Sequence, residues 1–187
     1  STHSASGNAY SGNGAAGDFD FVREKPTDSA AAATAMSSGV KTYNGAIGLD
    51  MDRKPLRQMS DAAKDRGKSV GTVTSVQMSH ATPAAFIAHN EARHNYAELG
   101  PSIVLDTRAD VVMGAGSPLY NDNGDLIDTP NYKYVGNANV WDLLVAGGTE
   151  LDGNSVEDAD GDGTPDAWTL VQTREEFEAL TIGETPK

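Results

Sequence analysis

The chain has 187 residues and a mass of 19.6 kDa, with 14 Lys and Arg against 27 Asp and Glu and a net charge of −13. It has no cysteine, which excludes disulfides and thiolate metal sites. No apolar run approaches the ~18–20 residues of a membrane helix, and an acidic chain with 6% aromatic residues is poorly suited to nucleic-acid phosphates.

The length fits one domain with a real core. The opening STHSASGN carries neither Met nor a basic-apolar leader and reads as a processed or truncated end. Residues 1–26 have the Ser, Gly and Asn content of an irregular stretch. An Ala-rich helix is expected from Asp28 to about Val40, capped by Thr27 or Asp28. Pro55 to Arg66 reads as an amphipathic helix, with Leu56, Met59 and Ala63 on one face and Gly67 after its end. Ser69 to Val76 alternates and is rich in Val and Thr, so it predicts a strand. Pro83 suits the first turn of a helix running to about His94, with Thr82 as its cap. Ile103–Leu105 is a short apolar run, and Ala109–Met113 reads as a buried strand. Val140–Ala146 predicts a short helix, and Thr173 with Glu176 forms a capping-box pattern before Phe177 and Leu180. Strands alternating with helices imply an α/β fold with a largely parallel sheet.

The charge is uneven along the chain. Residues 1–100 hold ten basic and ten acidic side chains, whereas residues 101–187 hold four and seventeen. The acidity therefore suits a loop-rich segment at 117–168, read as an insertion serving solvation or cation binding. Within it Asp158, Asp160, Asp162, Gly163 and Asp166 follow positions 1, 3, 5, 6 and 9 of an EF-hand-like calcium loop. Position 12 is Thr169, which lacks the bidentate carboxylate, so a bound Ca²⁺ and a plain acidic surface loop both stay open. His89 and His94, five residues apart, lie about 140° apart on a helix and suit no shared ion.

Asp28-Ser29 at a helix start offers free N–H groups and a positive dipole end to an anion. The serine could attack an electrophile if something activates it, yet the G-x-S-x-G elbow is absent. By itself T-D-S-A also reads as a plain N-cap. Its context is more specific. TDSAAAATAMSSGVKTYNGAIGLD (27–50) resembles the nucleophile segment of the alkaline phosphatase family. MSHATPAAFIAHNEARHNY (78–96) resembles that family's second motif, and DVVMGAG (110–116) the strand after it. The separations from Ser29 to Thr82 and from Thr82 to Arg93, 53 and 11 residues, agree with the family as well.

The resemblance implies a three-layer α/β/α sandwich, here an incomplete portion of its sheet, across a single domain 1–187. It implies phosphate monoester hydrolysis through a phosphoserine, with two Zn²⁺ and one Mg²⁺. Ser29 is similar to the nucleophile and zinc ligand, Asp28 to the aspartate that steadies the phosphate-binding arginine, and Arg93 to that arginine. Thr82 is similar to a magnesium ligand, His80 lies at a position near that ion, and His89 matches a structural helix histidine. The substrates implied are phosphate monoesters, the intact enzyme a homodimer, and the location periplasmic or secreted. The family's other zinc ligands lie on an upstream strand ending in Asp and in a C-terminal half. No apolar strand ending in Asp precedes residue 20, and no histidine follows residue 96. The chain is thus expected to be a fragment with little activity alone. A sulfatase or phosphodiesterase of the superfamily is disfavoured by GVKTYNGA and the Thr82–Arg93 spacing. A non-catalytic, calcium-stabilised acidic surface domain would explain the charge and leave 27–93 unexplained.

Overall fold

A computed structural model of the chain describes Arg23 and residues 26–181. The 1–22 portion of the expected irregular stretch lies outside the described residues. Among the described residues the first element with defined bounds is α1, Ser29–Ser38. Asp28 caps it, with its side chain accepting from the Ala31 N–H, and Gly39 ends it in the left-handed conformation. Its alanines let a neighbouring element approach closely. Ala30 and Ala33 pack with Ala81, Ala84 and Ala85 of the second motif in one buried cluster.

The second helix, α2, spans only Met59–Lys64 and buries no residue. The expected start at Pro55 fails because Pro55 bridges Leu49, and the Leu56 N–H donates to the Gly48 carbonyl at 2.8 Å. These bonds hold 55–56 extended, and Met59 is left 57% exposed. Strand β1, Gly71–Gln77, pairs in parallel with β2, Val111–Ala115, in the register Gly71–Val111, Thr72–Val112 and Val73–Met113.

Between these strands lie α3, Ala81–Ala84, and α4, Tyr96–Leu105. The expected helix from Pro83 to His94 is therefore a single turn, and Thr82 sits inside it rather than capping it. The cap position is His80, with no side-chain cap bond. The cause is tertiary. The Asn90 N–H and carbonyl both bond Ile47 at 2.9 Å, which diverts the backbone from a helical path. Apolar residues on α4 serve two cores. Leu99 and Ile103 join the α1–α3 cluster, while Val104 and Leu105 join Val140, Leu143 and Val156.

Strand β2 is half-open rather than buried, with Val111 and Met113 each 43% exposed. It has one partner strand among the described residues, so one face and one edge stay uncovered. Beyond it come a 3-10 turn, Tyr132–Tyr134, and α5, Ala138–Ala146, capped by the Asn137 side chain. A short antiparallel pair follows, β3 at Glu150–Leu151 and β4 at Asn154–Ser155. The last helix is α6, Arg174–Glu178, with the expected Thr173–Glu176 capping box in place. The acidic segment is tied into the second core: the Trp168 indole N–H donates to the Val104 carbonyl at 2.7 Å. The described elements form a mixed α/β arrangement around a parallel strand pair. No described helix is long and apolar enough to cross a membrane.

Candidate functional site

The site is built where the start of α1 meets the segment after α3. Asp28 uses its two carboxylate oxygens differently. One accepts from the Ala31 N–H at 2.9 Å, and the other accepts from Arg93 Nη1 at 3.1 Å. Both side chains are about one-fifth exposed, so this ion pair is only partly shielded from water. The Asp28 N–H donates to Asn44 Oδ1 at 3.2 Å, which ties the helix start to the loop after α1. Ser29, the first residue of α1, is half-buried, and its hydroxyl has no hydrogen-bond partner among the described residues. In particular no described histidine bonds it, so the structure offers no Ser–His pair.

The 65 residues between Asp28 and Arg93 are bridged by a chain of short contacts. The Thr34 hydroxyl donates to the Ala46 carbonyl and accepts from the Gly48 N–H, each at 3.0 Å. That bolts the 46–48 loop to α1. The loop in turn pairs Ile47 with Asn90, three residues before Arg93. Gly48 permits this approach, because a Cβ there would lie 2.5 Å from the Ala88 carbonyl oxygen and its φ is +61°. His89 bonds the Leu56 carbonyl through Nε2 at 2.9 Å, a structural use of the ring.

Two buried nitrogens at the site have no hydrogen-bond partner among the described residues: Arg93 Nε and His80 Nδ1. Buried polar atoms are normally satisfied, so each marks a place where a partner is missing from the described set. Burial pushes the His80 pKa below the usual histidine range, and Arg93 and His94 nearby push it the same way. His80 is therefore neutral at pH 7, and its lone pair can accept a proton or a cation. Thr82 is exposed on α3, with no side-chain bond among the described residues. The geometry thus joins Asp28 to Arg93, with Ser29 next to Asp28 in the chain, and sets His80 electrostatically beside Arg93.

Asp158, Asp160 and Asp166 converge in the acidic loop, with ligand oxygens within 4.8 Å of one another. Asp162 does not join them, because its carboxylate accepts from the Thr164 N–H at 2.8 Å. Backbone N–H groups satisfy the three: Gly161 and Gly163 donate to Asp158, Ala159 donates to Asp166, and Asp162 donates to Asp160. The Gly163 N–H leads in holding the Asp158 pKa below the usual carboxylate range. Around Ser29, by contrast, no group of three or more His, Asp or Glu donors converges among the described residues. Zinc takes about four ligands, and Ser29 supplies one oxygen. The described residues at Ser29 therefore do not by themselves hold two zinc ions. Sequence reasoning passed over Asn44, Tyr96, Lys133 and Tyr134, since hydrogen-bonding loops and ring contacts between distant segments leave no periodic signal.

A family model described as alkaline phosphatase matches residues 20–181. Alkaline phosphatase 4 of Bacillus subtilis (strain 168) is 43% identical over 115 residues, covering 59% of this chain and 25% of that protein. Alkaline phosphatase of Escherichia coli (strain K12) is 37% identical over 132 residues, covering 59% and 26%. The chain spans about a quarter of the length of these curated relatives. Among solved structures, a cold-active alkaline phosphatase from the psychrophile Shewanella sp. is 45% identical, with a TM-score of 0.48, over 54% of this chain and 26% of that one. A TAB5 alkaline phosphatase mutant with magnesium bound is 35% identical, with a TM-score of 0.46, over 50% and 26%.

Proposed function

Because the chain belongs to the alkaline phosphatase family, we propose that it carries the phosphoryl-accepting serine and the phosphate clamp of a phosphate monoesterase. The observation that supports this reading most directly is the Asp28–Arg93 pair beside Ser29. Asp28 holds Nη1 of the guanidinium at 3.1 Å while Nε stays unpartnered. The free side of a planar fork suits two phosphate oxygens. Ser29 would then attack phosphorus, forming a P–Oγ bond as the ester P–O bond breaks and the alcohol leaves. Water would hydrolyse the phosphoserine in a second displacement. The serine proton needs an acceptor that no described neighbour supplies. A bound metal ion would supply that activation by polarising the hydroxyl; Ser29 would be one zinc donor and Thr82 one magnesium donor, with His80 beside it. For the acidic loop, the convergence of Asp158, Asp160 and Asp166 supports a hard cation such as Ca²⁺. A periplasmic or secreted location is proposed from the bacterial relatives.

Calorimetric titration with inorganic phosphate tests the clamp. The parent chain should bind. Arg93→Ala should weaken binding by about tenfold or more, the scale of losing a hydrogen bond to a charged group. Arg93→Lys should recover only part, since a lysine lacks the fork. Equal binding by parent and Arg93→Ala overturns the reading.

A further inference from the structure

We propose that Lys133, seated on Tyr134 and on Tyr96, three residues after Arg93, is a second anion-binding residue that selects phosphate esters whose leaving group carries a further anionic group, a carboxylate or a second phosphate. This rests on the phosphate-clamp reading of Arg93.

Lys133 carries a charge that no described carboxylate neutralises. In the acidic second half, Arg108 pairs with Asp65 at 2.8 Å and Arg174 with Glu178 at 3.6 Å. Lys133 makes no ion pair among the described residues, although residues 101–187 carry seventeen carboxylates. Its ammonium is nevertheless held in place. Nζ lies 5.3 Å from the Tyr96 ring centroid and 5.1 Å from that of Tyr134. The two rings meet edge to face with centroids 5.0 Å apart. Ring faces attract a cation and leave its charge intact. A carboxylate would have cancelled it.

The position is equally specific. Tyr96 opens α4 three residues after Arg93, and the intervening His94 ring lies 6.2 Å from it, edge on. His94 and Arg93 both act on His80. On the other side, the Ser79 hydroxyl, one residue before His80, donates to the Tyr134 carbonyl at 2.7 Å. The turn carrying Lys133 is also locked to α4: a Cβ on Gly100 would lie 2.3 Å from the Val135 carbonyl carbon. The turn therefore packs closely against the helix that follows the arginine segment. The ammonium already covers the ring faces, so a stacked aryl leaving group would have to displace it. A point charge on a flexible stem suits a second anion of varied shape, where an arginine fork would impose one geometry. Such a residue adds discrimination by charge.

The test compares methylphosphonate with phosphonoacetate, which adds one carboxylate, by calorimetry on the full 187-residue chain at low salt without metal. Neither probe is hydrolysed, so no activity is needed. The parent should bind phosphonoacetate about tenfold tighter. Lys133→Gln should bring that ratio to about one. Lys133→Arg should keep it, and so should Tyr134→Phe, which preserves the ring face. An unchanged ratio in Lys133→Gln overturns the proposal. A parent ratio of one, with Arg93-dependent methylphosphonate binding, overturns this proposal alone. Failure of both probes to bind overturns the phosphate-clamp reading and this proposal together.

Discussion

Asp28 shows how one carboxylate can serve folding and chemistry at once. One oxygen caps α1 and the other holds Arg93, so the two uses can be separated by substitution. Asn caps a helix about as well as Asp, whereas Ala costs about 1 kcal/mol. Both Asp28→Asn and Asp28→Ala remove the charge that pairs with the largely buried Arg93, so both should melt below the parent. The difference between them isolates the cap, and Asp28→Ala should melt a few degrees below Asp28→Asn. Equal melting of the two variants would show that the cap contributes nothing. The Asp28–Arg93 contact was readable from the order and spacing of the motifs. The unpartnered Arg93 Nε and His80 Nδ1 were not, since only the folded neighbourhood removes water and partners from them.

At the scale of elements, local signals did well where a side chain caps the helix start. Helix α1 has Asp28 and Gly39, and α6 has its capping box, so both formed near the expected places. The segment after Pro83 failed because bonds from Ile47 to Asn90 outweigh helical propensity. The acidic loop sits between these cases. Its 1-3-9 spacing brought Asp158, Asp160 and Asp166 together, while Thr164 drew Asp162 into a local turn. If the three carboxylates take Ca²⁺, an ion at about 100 times its dissociation constant adds about 2.7 kcal/mol, a rise of several degrees in Tm. Asp158→Asn combined with Asp166→Asn should abolish the rise. A parent Tm that is indifferent to Ca²⁺ removes the ion from this loop.

For the molecule as a whole, two features point the same way. Strands β1 and β2 leave Val73 72% exposed and Met113 43% exposed, and no described element covers that face. The described donors around Ser29 are too few for zinc. The purified 187-residue chain should therefore show no zinc-dependent turnover of p-nitrophenyl phosphate. Full turnover would mean that the chain assembles its metal site unaided. The sequence by itself determined the family motifs, the capped helices, the parallel strand pair and the confinement of negative charge to the second half. All of these are written in composition, period and spacing along the chain. Only the tertiary structure decided which polar atoms are left unpaired and where α3 stops. It alone placed the uncancelled cation of Lys133 against Tyr96 and Tyr134. Those outcomes depend on contacts between residues dozens of positions apart, and the energy of such contacts exists only once the chain has closed on itself.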